Sequence, residues 1–324
     1  MQKITLPERP DWRDTAKEVG FTFADMAGEP YWDETSAYRF TLHQIEQDLE
    51  APATELHALC REAVDRAVRD EAWMTRLAIP PEHWDLVADS WRRAEPELYG
   101  RMDLSYDGRS PAKLLEYNAD TPTSLYESAS FQWLWLEQQQ AAGVLGPDTD
   151  QFNAIHESLV ARFGDICAPA EDVHFTADPE NPEDYATVET LAWAAREAGL
   201  GAHFTALSQI GLTPEGQFAD DASRVIGTLF KLYPWEDMLR DDFAAHLQSS
   251  GTRFIEPPWK AVLSNKGILP LLWERHPGHP NLLETYFEDD PKAAALSDSY
   301  ARKPLFSREG ANVELVDRGV SGGI

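Results

Sequence analysis

Cysteine is nearly missing from this 324-residue chain: only Cys60 and Cys167 occur. Two thiols build no disulfide framework, and no CxxC or Cys/His spacing of a metal site is present. Cys60 falls on the apolar face of a predicted helix and reads as an inert, buried thiol. Basic residues are also scarce. Lys and Arg total 28 against 56 Asp and Glu, a formal net charge of −28. That balance excludes the basic footprint of a nucleic-acid binder and would be repelled by an anionic membrane surface. No apolar run approaches membrane-spanning length, and Met1-Gln2-Lys3-Ile4 opens no apolar signal segment, so the expected setting is reducing and cytoplasmic. Several catalytic signatures are missing. There is no GxxxxGK[ST] phosphate loop, no GxGxxG after a strand and no GxSxG elbow. The nine histidines are scattered, and His276 and His279 flank Pro277-Gly278, a loop pattern.

What is abundant is apolar and aromatic: 43% and 11% of residues, with eleven tryptophans, enough for a sizeable core. Helical spacing of Leu56, Leu59, Ala63, Val64 and Ala67 predicts a helix over 54–72, with Thr54 as its cap. Further helices are predicted near 82–96, 124–141 and 152–163. From 172 to 231 the pattern alternates. Short strands at 172–176 and 202–206 and an apolar strand at 225–233 surround a helix at 183–198 closed by Gly199, which argues for an α/β layer. A helix over 236–248 and one over 259–274, kinked near Pro270, follow.

The densest chemistry lies at 101–118. Arg101 to Tyr106 and Leu114 to Asn118 read as two strands joined by the turn Asp107-Gly108-Arg109-Ser110. Period-2 alternation puts Arg101 and Asp103 on one face, and Glu116 and Asn118 on one face. Pairing about the turn centre sets Asp103 opposite Glu116 and Arg101 opposite Asn118. Two carboxylates, an amide oxygen and a guanidinium then converge, and hard oxygen donors of this kind suit Mg²⁺ and the phosphates it carries. The solvated polar face of an ordinary hairpin has the same pattern. Lys260, Lys266 and Lys303 gather in the last quarter near a glycine-rich tail, as phosphate ligands or as ordinary surface lysines.

Taken together, Tyr31-Trp32-Asp33-Glu34, Arg101-Met102-Asp103, Glu116 through Ser124 (EYNADTPTS), Pro258-Trp259-Lys260, Ser264-Asn265-Lys266, Arg302-Lys303-Pro304 and Arg308-Glu309-Gly310 resemble the ATP-grasp ligase domain of the glutathionylspermidine synthetase family. The resemblance spans nearly the whole chain and is similar to that family's single-domain relatives without an amidase. It implies an α/β (α+β) fold, ATP-grasp-like, as one unit over 1–324 with sub-lobes near 1–150, 151–250 and 251–324, and with the end of the fold missing. It implies an ATP- and Mg²⁺-dependent acid–amine ligase that activates a glutathione-like peptide carboxylate as an acyl phosphate, which a polyamine-like amine then attacks. Carried over by motif, Asp103, Glu116 and Asn118 hold Mg²⁺, and Arg101 contacts the transferred phosphoryl group. Lys266 and Lys303 hold nucleotide phosphates, with Glu309 and Gly310 in the covering loop, and Thr121 and Thr123 meet the peptide. Leu232 stands where the polyamine-conjugating enzymes carry a hydroxyl residue, so the peptide is expected to differ from glutathione. A second reading is a truncated, non-catalytic relative that binds nucleotide or peptide. The tail, 307–324, is expected to be displaced without nucleotide and to lack strand partners. No expectation about oligomeric state follows.

Overall fold

The computed structural model describes residues 1–26, 28–308, 310–318 and 320–323. Its centre is a four-stranded parallel sheet in the order Arg253–Ile255, Thr228–Lys231, Asp172–Ala177, Gly201–Ala206. Parallel strands covered on both faces read as near-continuous apolar runs. Val173, Phe175 and Ala177 accordingly have no exposed surface. The crossover from Asp172–Ala177 to Gly201–Ala206 is the helix Pro182–Glu197. Asn181 caps it by accepting from the amides of Glu183 and Asp184, Pro182 occupies its first position, and Gly199 closes it at φ 85°. The alternation read from the sequence is therefore an α/β layer.

A second core joins the helices Ala51–Ala67 and Trp84–Arg92 to Ile268–Arg275, around Leu56, Cys60, Val64, Trp259 and Leu272. Cys60 is fully buried, and burial pushes its thiol up to about 12, as expected of an inert thiol. A third, aromatic core gathers Trp12, Phe21, Phe23 and Phe131.

The hairpin Arg101–Ser105 with Lys113–Asn118 lies on the second core. Asp107 Oδ1 accepts from the amides of Arg109 and Ser110 at 2.8 and 2.7 Å, which fixes the turn. The register is the predicted one, Arg101 opposite Asn118 and Asp103 opposite Glu116, with an irregularity between Asp103 and Leu104. Met102, Leu104, Leu114 and Tyr117 turn to the core. The polar residues turn away.

Other expectations need correction. The first long helix starts at Ala51, so Thr54 lies inside it and its hydroxyl donates to the Glu50 carbonyl instead of capping. The segment 236–248 is a single turn, Trp235–Met238, followed by irregular chain and a short turn at Ala244–His246. The expected helix 259–274 is a 3₁₀ turn at Pro258–Val262 and a separate helix, Ile268–Arg275, with Pro270 in its first turn, where the missing N–H is harmless. The final segment has strand partners: Ser299–Arg302, Glu314–Asp317 and Val320–Gly323 form an antiparallel sheet. Among the described residues no helix is long and apolar enough to cross a membrane.

Candidate active site

Alternation along the hairpin delivers one polar face. Asp103 Oδ1 accepts from Arg101 Nε at 3.1 Å and from Asn118 Nδ2 at 3.4 Å. Asn118 Nδ2 also donates to Glu116 Oε1 at 3.1 Å. Glu116 Oε2 faces Lys266 Nζ at 2.9 Å. Burial alone would raise the Glu116 pKa, but the Lys266 hydrogen bond and charge outweigh it and hold it below the ordinary glutamate value.

The last quarter of the chain closes over this face. Lys266 Nζ also donates to the Ser307 carbonyl at 2.8 Å, and Lys303 Nζ donates to the Leu115 carbonyl at 2.9 Å. Burial holds Lys303 below the usual lysine value. Arg308 donates to Thr121 Oγ1 at 3.0 Å and to Glu236 Oε1 at 3.1 Å. The result is a narrow cleft lined by Glu116, Asn118, Thr121, Lys266 and Arg308. Segments far apart in sequence thus bring carboxylates and lysines to one place, the juxtaposition the sequence predicts. Gly310 sits at φ 72°, left-handed backbone that glycine adopts without strain, in the turn after Arg308. Glu309 lies outside the described residues.

Not every expected residue joins the cleft. Lys260 is fully buried, and its Nζ contacts Glu256 Oε2 at 2.7 Å, Glu97 Oε2 at 3.1 Å and the Tyr99 carbonyl at 2.7 Å. It holds the core together and is no phosphate ligand. Thr123 reaches Arg101 through its carbonyl, which accepts from Nη1 at 3.2 Å. Leu232 is buried in the core beside the parallel sheet.

Three features escape sequence reasoning. Asp120 is buried, with Lys231 Nζ donating to one oxygen and the Trp235 amide donating to the other at 2.7 Å, so it ties the hairpin to the segment carrying Glu236. Ser124 is held at φ 62°, an uncommon conformation for a residue with a side chain. Beside it Glu127 is 6% exposed. Its Oε1 accepts from Tyr31 at 2.6 Å, and its Oε2 has no hydrogen-bond partner among the described residues. Burial raises its pKa.

The donor set fits a hard cation. Two carboxylates and an amide stand on neighbouring strands, although among the described residues no cluster of three or more His, Cys, Asp or Glu is found. Nucleotide phosphates would have to complete the coordination. In this state Arg101 and Lys266 neutralise the carboxylates, and the Asn118 amide donates to both. A cation would require Asn118 to turn its oxygen, the only acceptor of its amide, toward the metal.

A mixed α/β fold thus sets a carboxylate-bearing hairpin against a lysine from the last quarter of the chain. Residues 3–322 match the family model described as glutathionylspermidine synthase preATP-grasp, and the chain belongs to that family. A Haemophilus influenzae protein assigned by name to the acid–amine ligases is 40% identical over 325 residues, 97% of this chain and 80% of that one. The bifunctional glutathionylspermidine synthetase/amidase of Escherichia coli is 28% identical over 94% of this chain and 52% of its own length. Trypanothione synthetase of Crithidia fasciculata is 27% identical over 85% of this chain and 45% of its own. The chain thus spans about half the length of these last two relatives.

Proposed function

We propose that the protein joins a peptide carboxylate to an amine with MgATP. The carboxylate oxygen takes the γ-phosphoryl group of ATP, giving an acyl phosphate and ADP. The amine then attacks the acyl carbon, phosphate leaves, and the amine proton passes to solvent or a nearby base. Asp103, Glu116 and Asn118 would hold Mg²⁺, which supplies charge neutralisation at the phosphates. Lys266 and Lys303 would bind nucleotide phosphates once released from Glu116 and the Leu115 carbonyl. Arg101 would meet the transferred phosphoryl group, and Gly310 would lie in the loop over the nucleotide, with Glu309 beside it. Thr121 and Thr123 would contact the acid substrate.

The observation that carries this reading is the ion pair between Lys266 and Glu116, which brings the flap onto the hairpin within a family of known ligases. Leu232 carries no hydroxyl where the resemblance places one, which supports an acid substrate that is glutathione-like but distinct. The amine is polyamine-like, in keeping with an acidic protein.

ADP release measured over a matrix of peptides and polyamines, with products identified by mass spectrometry, tests the reading. Release that requires both partners and yields an amide is expected. ADP release without amide product, or none with any pair while nucleotide still binds, would overturn it.

A further inference from the structure

A second cavity, of about 410 Å³, lies against the parallel sheet on the face that carries Thr176, Leu229, Lys231 and Phe254. The helix Pro182–Glu197 covers the opposite face, where Val188 and Leu191 pack against Val173 and Phe175. The cavity sits at the carboxyl ends of parallel strands, where open α/β sheets most often take ligands. The reaction proposed above uses none of its polar atoms.

Its walls are apolar, with Phe218, Leu229 and Phe254 among them. Its polar groups are few and ordered by depth. Thr176 has no exposed surface, and its Oγ1 has no hydrogen-bond partner among the described residues. Its neighbour in register, Thr205, is 1% exposed and its Oγ1 is likewise unpartnered. A buried hydroxyl left unpaired costs free energy that a ligand would recover. At the mouth stand the exposed carboxylates Asp178 and Asp241, the latter accepting from Tyr233 OH at 3.2 Å. The cation in the wall, Lys231, is already paired with Asp120.

We propose that this cavity binds a small arylalkylamine with a hydrogen-bonding group at its buried end: the ring between Phe218, Leu229 and Phe254, the polar group on Thr176, and the ammonium between Asp178 and Asp241. An apolar body with one buried polar anchor and a cationic tail matches the depth order of these groups, and a carboxylate tail would meet two like charges.

Tyramine is the probe, with 2-phenylethylamine lacking the hydroxyl and 3-(4-hydroxyphenyl)propionate reversing the charge. Affinities come from ligand-observed NMR on the full chain with and without MgATP. Tyramine should bind in both conditions. It should bind more tightly than 2-phenylethylamine by about threefold to tenfold, the worth of one hydrogen bond, and the propionate should not bind measurably. Thr176→Val removes an unpartnered hydroxyl, so the variant should fold normally, and it should erase the preference for tyramine over 2-phenylethylamine. The pair Asp178→Asn and Asp241→Asn should weaken both amines by about fivefold. Ser208→Trp, at an exposed position in the lining, should block entry. Propionate binding equal to tyramine, tyramine displaced by MgATP, no tyramine binding at all, or binding unchanged in both Thr176→Val and Ser208→Trp would overturn the proposal. None of these measurements depends on ligase turnover.

Discussion

Lys260 and Lys266 stand six positions apart and do opposite things. Lys260 is 0% exposed and sealed between Glu256, also 0%, and Glu97, at 15%. Lys266 is 10% exposed and meets a Glu116 that is 25% exposed and borders the cleft. Both are lysine–glutamate pairs at under 3 Å: 2.7 Å for Lys260 with Glu256 and 2.9 Å for Lys266 with Glu116. The difference lies in what else could take the partner's place. Around Lys260 the Glu256 carboxylate also accepts the Leu98 and Tyr99 amides, and neither Lys260 nor Glu256 has exposed side-chain surface. Around Lys266 a nucleotide phosphate could take the lysine and a cation could take the glutamate. A buried pair of fixed partners is structure; a half-buried pair beside a cleft is a site held in reserve.

Breaking the first pair should have the larger effect. Lys260→Met leaves Glu256 buried and uncompensated, and loss of one partner of a buried pair costs about 3–5 kcal/mol. Denaturant unfolding should show that loss. A variant as stable as the parent would mean that Glu256 simply takes a proton there. Glu116→Gln or Asp103→Asn should invert the pattern. Stability should stay within about 1 kcal/mol, as for partly exposed pairs. Amide-forming turnover should fall by about a hundredfold or more, the usual scale for losing a charge-stabilising group. Calorimetry should show weaker MgATP binding. Unchanged nucleotide affinity in both variants would remove these residues from the metal site.

The buried Lys260 cluster should also respond to pH through Glu97. Burial would raise Glu97, but its hydrogen bond with His57 and the charge of Lys260 outweigh that and hold it at about 2, against an ordinary 4.5. A depressed carboxylate contributes stability that is complete above its unfolded value and is lost as pH falls toward the folded one. Unfolding midpoints should therefore drop between about pH 4.5 and about pH 2, and Lys260→Met should flatten that slope. An equal slope in the variant would shift the cause to other carboxylates.

The hairpin was legible because a turn and a period of two determine which residues meet. Asp107-Gly108 set the register, and the pairing of Asp103 with Glu116 followed. The α/β alternation was legible for a similar reason, since Asn181-Pro182 and Gly199 mark the crossover helix at both ends. The fate of the lysines was not, because burial is a tertiary property. Pro258-Trp259-Lys260 and Ser264-Asn265-Lys266 look alike as strings. Only the packing of Trp259 against Trp91, with ring centroids 5.2 Å apart, shows that the first is drawn into the core. The irregular chain after Trp235–Met238 has the same origin. Its apolar residues Leu239, Ala244 and Leu247 are spaced for a helix but satisfy the core from a non-helical path. Asp120 and Glu127 were equally hidden, since nothing local distinguishes a buried acid from a solvated one.

The smallest effect sharpens the comparison most. Glu116 is held below its ordinary value although burial pushes it upward, because Lys266 supplies a hydrogen bond and a charge. Asn118 and Lys303 also favour the ionised form, by smaller amounts. In Lys266→Met the upward push of burial is opposed only by those two. The Glu116 carboxyl, followed by carbon NMR against pH, should then titrate at higher pH than in the parent. Raising the ionic strength should move the parent only slightly, since the pair is mostly shielded from solvent. If Glu116 kept its parent titration in Lys266→Met, the flap lysine would not be what neutralises it, and the exchange of Lys266 from glutamate to nucleotide would lose its physical basis.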